Sequence, residues 1–271
     1  MPDIPQAIGL IAGNGNFPLL FAKAAKNRGI RIVAAAVRND TSILIHLVAD
    51  EVRWFSAGEL KKLFSFFRQR GLRQVLMAGQ VHPRNLFEKN LEIDDEFKAL
   101  FRAIADRRCD TIFSAVADRL KAEGLELLDS TFLLSDHLAP RGTLTRRAPT
   151  AGQLKDIEFG LGIARNMGAL DIGQTVVVKD RAILAIEALE GTDRCILRGG
   201  GIAREGAVVV KTSKPKQDNR FDVPVIGPRT IRTMQRCRSA CIAVEAGKTL
   251  ILDRPRTVEL ADKAGIVIVA A

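Results

Sequence analysis

Residues Lys214 to Gly227 read Lys-Pro-Lys-Gln-Asp-Asn-Arg-Phe-Asp-Val-Pro-Val-Ile-Gly and place three cations, two carboxylates and two side-chain amides between prolines. They follow an apolar run, Ala207 to Lys211, that reads as a buried strand. Lys and Arg side chains hold phosphate oxygens, and an Asp holds a divalent cation or a water. Hydrolysis of a phosphoanhydride needs both kinds of group. The alternative is a solvated surface turn.

Two other segments could share that chemistry. Ala7 to Ala12 is continuously apolar and runs into Gly13-Asn-Gly15-Asn-Phe-Pro18. Glycines between a strand and a helix let backbone N–H groups approach a phosphate, and the helix N-terminus adds a favourable dipole. Pro18 stands where the dinucleotide fingerprint has its third glycine, and Arg38, not an acid, follows the second strand; both weaken a nicotinamide site. A phosphate or sugar contact and a purely structural turn both remain open. Farther on, Ile186 to Arg194 places Glu187 and Glu190 at a strand end, with Gly191 breaking the strand and Thr192 or Asp193 capping a helix. The helix start could hold an anion, with Thr192 donating to a phosphate and a carboxylate holding Mg²⁺. The bland reading is a capped strand–turn–helix.

Other chemistries are disfavoured. His46, His82 and His137 are the only histidines and have no ligand spacing. A histidine–aspartate dimetal phosphoesterase, a Nudix helix and a Gly-x-Ser-x-Gly elbow all lack their residues. Cys237 and Cys241 have helical i, i+4 spacing without a second pair, and Cys109 and Cys195 stand apart, so reduced thiols are expected rather than a zinc site.

The elements that must position these groups alternate. Strands are expected at Ala7–Ala12, Ile30–Val37, Glu51–Phe55 and Gln74–Gly79, with helices over Leu19–Arg28 and Ala57–Arg70. Residues 94–123 read as helical. This rhythm implies a doubly wound parallel sheet. Ala139 to Pro149 carries prolines and arginines and reads as a connection. Thr150 could cap a helix reaching Asn166 and stopping near Gly168. Strands then follow at Thr175–Val178, Ala182–Ala188, Ala207–Lys211, Cys241–Val244, Thr249–Leu252 and Ile266–Ala270, with a helix over Arg256–Ala264. The fold class is therefore α/β in two domains, a Rossmann-like N-terminal parallel sheet (1–145) and a distinct C-terminal α/β domain (146–271).

Bulk properties fit. The 271 residues carry a formal net charge of +10, which favours anionic partners. With aromatics at 5% and no Tyr, base-stacking platforms are hard to build, so nucleic acid is not expected. The first residues show no signal-peptide pattern and no apolar run approaches a membrane span, so a cytoplasmic location is expected.

Read in order, Ile8-Gly-Leu-Ile-Ala-Gly-x-Gly15-x-x-Pro18, Leu138-Ala-Pro-Arg-Gly-Thr-Leu-Thr145, Leu170-Asp-Ile-Gly-Gln174, Ala185-x-Glu187-x-x-Glu190-Gly-Thr-Asp193, Lys214-Pro-x-Gln217, Arg220-x-Asp222-x-Pro224-x-Ile226-Gly227 and Glu245-Ala-Gly247 resemble the LpxI-type UDP-2,3-diacylglucosamine pyrophosphatases of lipid A biosynthesis. Asp218, where a Glu is familiar, and Gln80-Val81, in place of Asn-Val, are mild departures. The resemblance implies Mg²⁺-dependent hydrolysis of UDP-2,3-diacylglucosamine to 2,3-diacylglucosamine 1-phosphate (lipid X) and UMP, with substrate between the domains. It places the essential aspartate at Asp222, holding Mg²⁺ or orienting the attacking water. Lys214, Gln217 and Arg220 would clamp the diphosphate; Thr192 and the turn of Gly13, Asn14 and Gly15 would contact phosphate or sugar; Glu190 and Asp193 would assist the metal. A diacylated substrate implies transient contact with the anionic inner-membrane surface, which the basic charge favours. Oligomeric state stays open, a homodimer included. A non-enzymatic phosphosugar- or nucleotide-binding regulator is the rival class, and an NAD-linked oxidoreductase the third.

Overall fold

In a computed structural model, residues 5–81 and 92–271 are described, Cys109 by its backbone only, so His82 lies outside them. Five strands, β1 (Ala7–Ala12), β2 (Arg31–Val37), β3 (Glu51–Phe55), β4 (Gln74–Ala78) and β5 (Glu126–Leu127), form a wholly parallel sheet in the order β3-β2-β1-β4-β5. Both faces are apolar because both are covered. Helix α1 (Phe17–Lys26) packs on one face. Helices α2 (Leu60–Gln69), α3 (Asp95–Ala103) and α4 (Cys109–Ala122) bury Leu63, Phe64, Phe67, Leu100 and Leu120 with Val33, Ala35 and Val75 of the sheet. Each such side chain, fully buried, stabilises the fold by about 1.5–3 kcal/mol.

The second sheet has six strands: β6 (Gly142–Thr143), β7 (Thr175–Lys179), β8 (Ala182–Ile186), β9 (Val208–Lys211), β11 (Cys241–Val244) and β13 (Val267–Ala270), in the order β6-β13-β11-β9-β7-β8. It is mixed: β9, β11 and β13 are parallel, while β6, β7 and β8 pair antiparallel. A two-stranded parallel pair joins β10 (Val225–Ile226) and β12 (Leu250–Ile251). Helix α5 (Ala151–Ala169) covers one face over Val176, Val178, Val208 and Val210. Its Thr150–Gln153 capping box fixes the start, as the Thr150 expectation has it, and the helix runs through Gly168 to Ala169. Helices α6 (Thr192–Ala203), α7 (Pro228–Arg236) and α8 (Arg254–Ala264) lie over Val177, Ala185, Val209 and Ile242 on the other face. Among the described residues, no helix is long and apolar enough to cross a membrane.

Two details differ from the sequence reading. Contacts divide the chain into residues 1–134 with 219–222, and residues 135–218 with 223–271. The division at Leu134 and Ser135 lies upstream of 145/146 because β6 pairs with β13, which draws the Pro/Arg-rich segment into the second sheet. Cys237 and Cys241 share no helix face: Cys237 ends α7 and Cys241 opens β11.

Candidate functional site

The strand order of the first unit reverses between β1 and β4, so their carboxyl ends border the crevice where doubly wound sheets bind ligands. The glycine turn lies there, but its first two amides are engaged. Gly13 N–H donates to the Ala78 carbonyl (2.8 Å) and Asn14 N–H to that of Gln80 (2.7 Å). The Asn14 side-chain amide donates to the Asp40 carbonyl at 3.1 Å. The approach is close enough to require glycine on both sides. A Cβ on Gly13 would stand 2.8 Å from the Gln80 oxygen, and one on Gly79 (φ +87) would stand 2.5 Å from the Asn14 oxygen. Gly13 and Asn14 thus hold the turn to β4. Gly15, at φ +91 with open space around it, and the start of α1 form the part facing outward.

By its contacts the Arg220–Asp222 segment groups with this first unit. Phe221 is the cause. Its ring stacks on Phe113 (centroids 5.7 Å apart, planes 25°) and packs against the first core. Ser130 adds polar fastening: its N–H donates to the Asn219 carbonyl (2.8 Å), and its hydroxyl lies between the Met77 (2.7 Å) and Arg220 (2.8 Å) carbonyls. The glycine turn and the strap bearing Asp222 are therefore both fastened to the last two residues of β4, through Ala78 and Met77.

In the second unit several motifs of the resemblance meet at one end of the sheet. Glu187, Thr175 and Lys211 continue β8, β7 and β9 as a polar row beyond Ala185, Val177 and Val209. Lys211 is only 7% exposed, and its ammonium donates to the Thr192 hydroxyl at 2.7 Å. That hydroxyl donates in turn to Glu187 Oε1 at 2.8 Å. Buried Glu187 Oε2, Thr175 Oγ1 and Thr212 Oγ1 have no partner among the described residues. In this arrangement the hydroxyl proton is directed at Glu187, so the Thr192 side chain is not turned toward an outside acceptor. Nor is it a cap: Gly191 is the N-cap, without a side-chain hydrogen bond, and Thr192 opens α6. The donors at this helix start are its backbone amides and Lys211, which the sequence reading missed. The signal was a lysine ending a wholly apolar strand.

The remaining residues make local contacts. Lys214 Nζ pairs with Asp171 (2.5 Å), and Lys214 N–H donates to the Gln217 side-chain oxygen. Gly173 stands so close to Glu187 that a Cβ would come 2.2 Å from its carbonyl oxygen, and Thr212 N–H donates to the Gln174 carbonyl. Glu245 accepts from the Ser213 amide (2.7 Å) and hydroxyl and pairs with Arg165 and Lys248. Burial alone would raise the Glu245 carboxyl, but Ser213 and the two cations hold it below its ordinary value.

The expected metal ligands of this unit are occupied. Glu190 pairs with Arg198 (2.5 Å) and accepts from Ala188 N–H; burial, which would raise its carboxyl, is outweighed by these donors. Asp193 pairs with Arg229 (2.6 Å) and accepts from Thr233. Among the described residues no group of three or more His, Cys, Asp or Glu side chains could hold a metal ion. A dedicated protein cage for Mg²⁺ is therefore not what these residues fit. A hard cation that keeps water and takes most of its oxygens from a diphosphate needs only one or two carboxylates, and Asp222 has the right chemistry for one.

A two-unit α/β protein with a parallel first sheet, a mixed second sheet and cation-bearing loops at their ends is the class these features define. The LpxI N-terminal domain matches residues 7–137 and the LpxI C-terminal domain matches residues 140–269. The chain is 33% identical over 273 residues, 96% of each protein, to the UDP-2,3-diacylglucosamine pyrophosphatase LpxI of Caulobacter vibrioides. The chain belongs to the LpxI family. Among solved structures, the ADP complex of an N5-carboxyaminoimidazole ribonucleotide synthetase aligns over 65% of this chain and 33% of that one, at 16% identity and a TM-score of 0.28. At that score the likeness carries no argument.

Proposed function

We propose that this chain hydrolyses the pyrophosphate of UDP-2,3-diacylglucosamine, with water, to 2,3-diacylglucosamine 1-phosphate (lipid X) and UMP, and that it uses Mg²⁺. The observation that carries this reading is the 33% identity with the named pyrophosphatase over 96% of the chain, which spans both domains. In this reading Asp222, delivered by the Phe221 anchor, holds the cation or orients the attacking water. Bound Mg²⁺ supplies neutralisation of the charge that builds on the non-bridging oxygens. In the second unit, Lys211 and the first amides of α6 are fixed donors available to an anionic group, while Glu187 and Thr192 hold Lys211 in place. Arg220 contributes a guanidinium from the same strap as Asp222.

The test is UMP release from UDP-2,3-diacylglucosamine with Mg²⁺, followed by ³¹P NMR, and its loss on adding EDTA. Asp222→Ala should reduce turnover by a thousandfold or more with an unchanged thermal midpoint, while Phe221→Ala should lower turnover and also reduce stability. Near-normal turnover in Asp222→Ala would sink the assignment. Tight binding without UMP in the wild type would instead select the regulator.

A further inference from the structure

The segment between β2 and β3 carries an apolar surface that the reaction does not use. Residues 41–49 contain no Asp, Glu, Lys or Arg. Ser42 starts a 3₁₀ turn, Ile43–Leu47, by accepting from Leu44 N–H. With three residues per turn, Ile45 and Val48 face inward together, and both are buried. Ile43, Leu44 and Leu47 are left outside, at 67%, 50% and 73% exposure. Of the ten large hydrophobic side chains exposed among the described residues, three fall within these five positions, so this is a concentrated patch and not the scattered exposure usual at a surface.

Its surroundings are basic. The turn packs against α1 and β3. The last turn of α1 presents exposed Lys23 and Lys26. Of the flanking acids, Asp40 is 5% exposed and Glu51 is taken up by Arg70 and Arg31, while Asp50 is exposed and accepts from Ile32 N–H. An apolar turn bordered by cations complements an anionic bilayer surface, where acyl chains receive the aliphatic side chains and headgroups meet the lysines. A second copy of the same face would set these cations against one another.

We infer that the Ile43–Leu47 turn seats the protein on anionic phospholipid, with Lys23 and Lys26 at the headgroups. This surface is independent of the reaction proposed above. Trp54, the single tryptophan, reports on it, because its indole N–H donates to His46 Nε2 in the turn at 3.2 Å.

The experiment mixes the full chain, without substrate, with phosphatidylglycerol-containing or pure phosphatidylcholine vesicles and reads co-sedimentation and Trp54 emission. Binding and a blue shift are expected on the anionic vesicles. The Ile43→Ser/Leu44→Ser/Leu47→Ser variant should lose tenfold or more in partitioning with its thermal midpoint retained, and Lys23→Glu should lose about fivefold. Equal binding by the triple variant overturns the proposal, as does absence of binding by the wild type. A change of oligomeric state in the triple variant without vesicles assigns the turn to self-association and overturns it too. Hydrolysis failing while vesicle binding holds refutes the pyrophosphatase reading alone.

Discussion

Lys214 and Asp171 form a 2.5 Å ion pair with side chains only 9% and 16% exposed. Asp171 sits in the left-handed region (φ +55), in the turn that follows α5. The pair therefore fastens the start of the Lys214–Gln217 loop to that turn. Removing one partner of such a pair leaves an uncompensated charge and costs about 3–5 kcal/mol when burial is complete. Each single variant, Asp171→Ala or Lys214→Ala, should lower stability by about 2–3 kcal/mol, and the double variant should be more stable than the sum of both losses. Urea unfolding of the four proteins measures the coupling. A Lys214→Ala variant that loses turnover with no loss of stability would return Lys214 to the role of diphosphate clamp.

The Lys211–Thr192–Glu187 chain makes a different pattern of losses. Lys211→Met keeps the aliphatic stem and removes the charge, so the thermal midpoint should stay within a few degrees while turnover falls by about a hundredfold or more. Thr192→Ser should retain most activity, and Thr192→Val should lose roughly tenfold, because only the hydroxyl passes Lys211 to Glu187. Steady-state UMP release by the three variants separates these outcomes.

Glu245 gives a pH signature. Its folded carboxyl lies below its ordinary value, against the opposing pull of burial, because Ser213, Lys248 and Arg165 favour the charged form. Its contribution is therefore fully present above the unfolded value of 4.5 and is lost as pH falls through the depressed folded value. Glu245→Gln should be about 1–3 kcal/mol less stable near neutrality, and its curve should converge on that of the wild type toward pH 3. Denaturant unfolding between pH 7 and 3 checks it, and parallel curves would contradict it.

Two glycines make a matched test of packing. A Cβ at Gly173 would press to 2.2 Å from the Glu187 carbonyl oxygen, while Gly162, inside α5, has nothing within 4 Å of where its Cβ would stand. Gly173→Ala should lower the thermal midpoint and reduce turnover by displacing Glu187. Gly162→Ala should stabilise by about 0.5–1 kcal/mol through helix propensity alone.

Periodicity made most of the sheets legible. Ala7–Ala12 and Cys241–Val244 lie where the apolar runs place them, since strands buried on both faces announce themselves as continuous hydrophobic runs. Helix α7 escaped notice: four of its nine residues are buried, but two of those four are threonines, so its apolar stripe is faint. Roles at the site were harder still. Lys214, Gln217, Glu190 and Asp193 have the residue types of a phosphate and metal site, yet each is engaged locally by Asp171, Lys214 N–H, Arg198 or Arg229. Residue type tells what a side chain can bind; only packing tells what has already bound it. Lys211 shows the converse, a cation hidden at the end of a strand that burial turns into a candidate donor.

The strap of Asn219–Asp222 has a consequence for dividing the molecule. A fragment ending near residue 137 would contain every strand of the first sheet, yet it would leave the Phe113 ring uncovered and Ser130 without its Asn219 and Arg220 partners. The amino-terminal half is thus stoppered by a plug, Asn219–Asp222, encoded far downstream of its own last strand, Glu126–Leu127. Translation must reach Phe221 before that half can close, which ties its completion to synthesis of the other half.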